Sequence, residues 1–254
     1  MPKQPVNDAL APVEPKAGVP ATVNPDWQYL PEGELVTPRI QILQVAEEGH
    51  VKPGVFVNNL TGEELDLLQC VLVGMRRSRS LFRKPFKKEK GVPPLCKSVD
   101  FITGIGEPGG TCCRWDEQEK MFIPVCPKAM FGHEGARDDG TRPDCQENYD
   151  FVGYDISGNP FVFSVHGASL KPARAFISGA VRKRKPLYYT GVEITLEKRT
   201  DKGLYWVAVF KRVGETPETD WPELENSSRG LLAALARIPA ETPVGNDAGG
   251  AAAY

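Results

Sequence analysis

Five of the chain's six cysteines fall between Cys96 and Cys145, in a stretch punctuated by glycine and proline. They are Cys96, Cys112, Cys113, Cys126 and Cys145; among them lie Gly104, Gly106, Gly109, Pro108, Pro124 and Pro127. Neither a helical nor a strand period survives such punctuation. A loop of this length is rare inside a compact domain unless something ties it down. Four thiolates around one structural zinc ion would tie it, because a closed tetrahedral site contributes folding energy outright. The expectation is a zinc-binding loop subdomain inserted into the domain that carries it. The adjacent pair Cys112 and Cys113 is poorly placed to give two ligands to one tetrahedron. The expected ligands are therefore Cys96, Cys112, Cys126 and Cys145. Whether Cys112 or Cys113 serves stays open, as does substitution by His133. Reduced thiols without a metal, or disulfides, are the alternatives. Disulfides need an oxidising compartment, and the polar, proline-rich N-terminus lacks the apolar core of a secretory leader, so a cytoplasmic location is expected. No H-x-E or H-E-x-x-H pattern marks a catalytic metal.

The chain has 254 residues, 41% of them hydrophobic, which supports one sizeable core. Net charge is −2, so any nucleic-acid contact must come from local clusters. No apolar run approaches the roughly 18 residues that span a membrane. Residues 1–34 read as a disordered arm, rich in proline and poor in large apolar side chains. Residues 239–254 read as a flexible tail, and 35–238 as the folded domain, with the insertion at about 96–145.

Within it, Pro38–Gln44 reads as a first strand or short helix, and Val55–Val57 as a strand before a turn at Asn58, Asn59 and Gly62. Leu67–Met75 is a β-rich run. Asp150–Ile156 and Phe161–Val165 form a hairpin around Ser157–Pro160. Ser169 reads as an N-cap for a helix to about Lys183, with Ala173, Phe176, Ile177 and Ala180 at helical spacing. Leu187–Glu197 and Tyr205–Lys211 form a second hairpin around Asp201–Gly203, and a short helix covers about Glu223–Arg237. Strands, a hairpin, a helix and a final hairpin follow the order of a small Greek-key barrel of the OB type. The expected class is β-rich α+β, an OB-like Greek-key barrel with a zinc-binding insertion and disordered termini.

The binding candidates begin where that first long strand run ends. Arg76, Arg77, Arg79, Arg83, Lys84, Lys87 and Lys88 surround Phe82 and Phe86. Cations for phosphates and aromatic faces for unpaired bases are what a single strand requires. Arg182, Lys183 and Arg184 end the central helix, where its dipole favours cations anyway, and Tyr188 follows. Lys171 and Arg174 at the helix start would extend the groove. A solvated charged loop is the bland alternative for each cluster. Gly104–Gly109 lacks the GK[ST] ending of a phosphate loop, and no nucleophile–base arrangement stands out, so no catalytic residue is assigned.

The runs Cys96-Lys97-Ser98-Val99-Asp100, Gly104–Cys112, Cys126–Gly132, Cys145 and Ser169–Arg174 resemble a family of phage and prophage proteins, over roughly residues 38–213. In that family the second and third cysteines stand close together, as in a zinc ribbon; here Cys113–Val125 looks like an added loop. The layout also resembles phage single-stranded DNA-binding proteins in which an OB barrel carries a zinc subdomain. The resemblance implies a non-enzymatic single-stranded DNA-binding protein of phage DNA replication or recombination, in the bacterial host cytoplasm. Its partners would be single-stranded DNA and replication or recombination proteins, with no membrane. The alternatives are a nucleic-acid-processing enzyme such as a nuclease, and an interaction module that meets an acidic host protein. One departure is the C-terminus, Gly249–Tyr254, which lacks the acidic run common in such proteins.

Overall fold

In chain order the strands are β1 (Arg39–Ile42), β2 (Phe56–Asn58), β3 (Glu64–Leu65) and β4 (Leu67–Leu81), then the short β5 (Cys96–Ser98), β6 (Thr103–Gly106), β7 (Gly110–Thr111), β8 (Cys113–Asp116) and β9 (Met121–Pro124). Next come β10 (Cys145–Asp155), β11 (Pro160–His166), helix α1 (Leu170–Arg182), β12 (Thr190–Arg199), β13 (Tyr205–Glu215) and helix α2 (Trp221–Arg237). This computed structural model describes residues 37–44, 52–82, 94–130, 143–201 and 203–237. The arm at 1–34, the tail at 239–254, His133, and the binding candidates Arg83, Lys84, Phe86, Lys87 and Lys88 lie outside the described residues. No described helix is long and apolar enough to cross a membrane.

The fold is β-rich, with two α-helices among the described residues. Its main sheet runs β3-β2-β1-β11-β10-β4-β5-β6-β7, while β12 branches from β4 and pairs with β13. β4 is the axis. Its first half pairs with β12, its last residues with β5, and its other edge with β10. β1 lies parallel to β11, and the other pairings of named strands are antiparallel.

Alternation along the strands makes two apolar layers. Leu68, Leu72, Phe151, Phe163, Val192 and Ile194 face an inner core, which α1 closes with Ala173 and Phe176. Val73, Val152 and Val162 face outward and receive Leu224 and Leu235 of α2. Fully burying such side chains contributes roughly 1.5–3 kcal/mol each.

The ladder does not close into a barrel. Among the described residues, β13 pairs with β12 alone. Just past β1, Gln44 reaches β13 with its side chain: Gln44 Nε2 donates to the Trp206 carbonyl (3.0 Å), and Trp206 N–H donates to Gln44 Oε1 (2.8 Å). The Trp206 ring lies on Gly54, where φ is +82° and an added Cβ would sit 2.3 Å from the indole.

Several expectations change. The basic run after Met75 is strand as far as Leu81, because its backbone pairs with β10 and β5. The cysteine segment is not loop alone; five short strands form in it around its glycines. Ser169 does not cap α1 through its side chain; a 3-10 turn precedes the helix, and Ser169 Oγ accepts from Ala208 N–H (3.0 Å). The last helix is longer than expected, starting at Trp221.

Candidate nucleic-acid interface and thiol cluster

A bulge in β4 decides which face of the sheet each arginine takes. Between Val152 and Gly153 the register slips, so Val73 is the extra residue on β4. Val73 and Gly74 both face α2, and alternation is inverted from there on. Arg76 consequently faces outward, and Arg77 and Arg79 face inward.

The inward pair packs against aromatic rings, although Arg77 keeps 32% of its side chain exposed. Arg77 Nη2 bonds Glu147 Oε1 (2.9 Å), and its guanidinium lies 3.8 Å from the centre of the Phe101 ring. Arg79 is 5% exposed, 4.6 Å from the same ring, and donates to the Cys145 carbonyl (3.3 Å). Phe101 is buried at φ +69°, a conformation uncommon for an aromatic residue. Asp100 supports it: its Oδ1 accepts from the N–H groups of Ile102 (2.8 Å) and Thr103 (2.7 Å). Burial would raise the Asp100 carboxyl, but these bonds outweigh it and hold the group below its ordinary range. Arg174 joins the same network, donating to Tyr149 Oη (2.9 Å) and Glu147 Oε2 (3.1 Å).

On the outer face, Arg76, Asp150 and Ser164 form one row across β4, β10 and β11. Ser164 Oγ donates to Asp150 Oδ1 (2.7 Å), and Arg76 Nε lies 3.5 Å from Asp150 Oδ2. Ser78 and Asn148 form the next row, followed by Ser80, with which Lys97 of β5 is paired. Arg39 of β1 pairs beside Val162 on the same face. Burial lowers the pKa of both Arg76 and Lys97; Arg39 lowers both further, while Asp150 raises both. Arg76 and Lys97 thus both feel the Asp150 carboxylate, and Arg39 acts on the two of them as a third charge. Arg39, Lys97 and Asp150 had no signal in the sequence, because they are far apart in it and sit in no basic run.

The expected ligand cysteines come together. Cys96, Cys126 and Cys145 pack in one cluster, and Cys145 and Cys96 flank Leu81 on neighbouring strands. A Cβ on Gly104 would lie 2.9 Å from Cys96 Sγ and 3.0 Å from Cys112 Sγ, so glycine leaves room for both. Cys126 N–H donates to the Cys112 carbonyl (3.2 Å). Cys112 and its neighbour Cys113 both pack with Phe101, and Phe122 lies against them. Burial pushes the Cys112 thiol up to about 11, and Cys96, Cys126 and Cys113 add to that, against Arg79. Burial pushes Cys145 up to about 12. Among the described residues, no group of three or more His, Cys, Asp or Glu side chains is placed to hold a metal ion. The thiols of Cys96, Cys112, Cys126 and Cys145 are nevertheless neighbours, and a raised thiol such as Cys112 or Cys145 is disfavoured as a thiolate unless a cation joins it.

The other predicted residues lie elsewhere. Lys171 lines a groove of about 930 Å³ between the start of α1 and the β12–β13 hairpin, with Lys198, Arg199 and Tyr205. Arg182, the last residue of α1, and Arg184 beyond it are exposed, and Lys183 lies 5.6 Å from the centre of the Tyr189 ring. Tyr188 packs edge-on to Trp221 of α2 (6.1 Å). Phe82 is half-buried just past β4. The described members of the two basic stretches therefore have different neighbours. Of the pair Tyr205 and Trp206, Tyr205 is the buried one.

No family model, curated protein or solved structure matches the chain.

Proposed function

We propose that the chain binds single-stranded DNA, without catalysing a reaction on it, in phage replication or recombination. The observation that carries this reading is the outer face of the sheet, on which Arg39, Arg76 and Lys97 lie with the carboxylate of Asp150, 3.5 Å from Arg76. Serine and asparagine side chains continue that face, so it offers cations and neutral donors to a backbone. The sequence leaving β4 adds Arg83, Lys84, Lys87 and Lys88 with Phe86. The connectivity supports an OB-like core: β4 between β10 and β12, the β10–β11 hairpin, α1, then the β12–β13 hairpin. In this reading β1 occupies the gap that an OB barrel closes by strand pairing. Zinc held by Cys96, Cys112, Cys126 and Cys145 would fasten the insertion, supplying folding energy and no chemistry on the strand.

The test is fluorescence anisotropy with a labelled oligo-dT strand and a matched duplex, each at two salt concentrations. Tight, salt-sensitive binding of the strand and weak binding of the duplex are expected. Each phosphate contact removed by mutation should reduce the salt slope by about 0.7. Absence of binding to either at low salt overturns the proposal, and metal-dependent cleavage of the strand would replace it with a nuclease.

A further inference from the structure

We infer that Arg39, Arg76 and Lys97 form a seat for one phosphate group, and that Asp150 is the seat's resident counter-ion, which an incoming phosphate must share. The inference rests on the proposed function only for what carries the phosphate.

The geometry is that of a site with spare donors. Asp150 sits between Arg76 and Ser164 in one cross-strand row, and is only 6% exposed. Ser164 holds one of its oxygens at 2.7 Å, and Arg76 reaches the other only at 3.5 Å. A guanidinium has five donors in a fixed fork. Among the described residues, Arg76 pairs through its side chain with Asp150. Lys97 and Arg39 make no side-chain hydrogen bond to a described residue; the register puts both on the face of Arg76, Arg39 beside Val162 and Lys97 opposite Ser80, and Arg39 lowers the pKa of both Arg76 and Lys97. The three cations come from three strands, β1, β4 and β5, so the sheet fixes their spacing. The Arg76 side chain is 14% exposed, and a half-buried cation attracts an anion more strongly than one in open water.

One carboxylate against three cations leaves a surplus of two positive charges. A phosphodiester placed among them lowers that surplus without displacing Asp150 from Ser164. Asp150 in turn weakens the seat by repelling the phosphate. It keeps the desolvated Arg76 paired while no strand is bound, and it makes binding of the strand weaker and more readily reversed than three bare cations would.

The decisive variant is Asp150→Asn, which keeps the shape and the Ser164 partner while removing the charge. It should bind oligo-dT about five- to tenfold more tightly than the parent at the same salt, as expected when one nearby like charge is removed. Inorganic phosphate, at ionic strength held constant with chloride, should raise its melting temperature more than it raises that of the parent. Equal or weaker oligonucleotide binding by folded Asp150→Asn, with the parent still binding, overturns the inference and leaves the proposed function standing. Should Asp150→Asn fail to fold, Lys97→Ala decides: a loss of affinity with unchanged melting temperature supports the seat, and unchanged affinity overturns it. If neither protein binds oligo-dT, the phosphate melts decide. A phosphate-specific rise that is larger in Asp150→Asn keeps the seat and discards the DNA reading, and no rise in either discards both.

Discussion

Arg76 and Arg77 are neighbours in sequence and do opposite work. Arg77 is held between Glu147 and the Phe101 ring, which fixes its guanidinium while 32% of the side chain stays exposed. Replacing it by lysine removes the planar fork and the stacked guanidinium, which lysine does not reproduce. Arg77→Lys should therefore cost about 1–2 kcal/mol in urea unfolding, the scale of a partly buried charged hydrogen bond with a cation–π contact. Its oligo-dT affinity, per folded molecule, and its salt slope should stay those of the parent. The paired variant Arg39→Ala/Lys97→Ala should do the reverse, flattening the slope while urea stability changes little, because neither side chain holds a described hydrogen bond. A residue-scale reading of the basic run would have grouped Arg76, Arg77 and Arg79 in one site. Side-chain alternation together with the Val73 bulge separates them.

At the scale of elements, the weak seam is the one between β13 and the β1–β2 hairpin. Backbone pairing ends there, and Gln44 spans it by using its amide as a substitute peptide against Trp206. Gln44→Ala should cost about 1–2 kcal/mol, two hydrogen bonds at the usual net worth. Hydrogen exchange should show the loss locally, with faster exchange at Ile40, Ile42 and Val57 and little change in β10 or β11. Uniform acceleration across the sheet would mean that the seam is not a separate unit. This seam also sets the position of Arg39, since β1 carries that residue three positions before Ile42. In sequence terms the elements themselves were largely legible: β2, the β10–β11 and β12–β13 hairpins and α1 all follow apolar spacing. The short strands of the insertion were not, because their pairing depends on β4 and on Cys96, Leu81 and Cys145 lying in one row.

For the whole molecule, the insertion and the sheet are joined through one thiol-lined corner. Leu81, Cys96, Ala129 and Cys145 pack there, and Phe101 sits beside it under Arg77 and Arg79. Purified protein should hold about one zinc ion per chain, as a closed four-thiolate site does. Chelation should lower the melting temperature, and Cys96→Ser should both abolish zinc retention and reproduce the chelated melt. Hydrogen exchange after chelation should rise first in β5–β9 and only later in β12 and β13. A protein that purifies without zinc, and whose melt ignores added zinc and chelator, would leave the corner as packed free thiols.

The sequence by itself determined the elements whose pattern is local. Period-two runs became β10–β13, a period near 3.6 became α1, and the four spaced cysteines of the insertion were singled out together. It also marked a cationic run at the end of β4. Tertiary structure decided which way each cation points, because one extra residue at Val73 shifts every later side chain of β4 to the other face. Only the fold brought Arg39, Arg76, Lys97 and Asp150 from four strands onto one surface, since cross-strand neighbours are set by register and not by distance along the chain. The open seam at Gln44 was likewise invisible in the pattern. Whether a sheet closes depends on the summed twist and stagger of all its strands, a property that no single stretch of sequence carries.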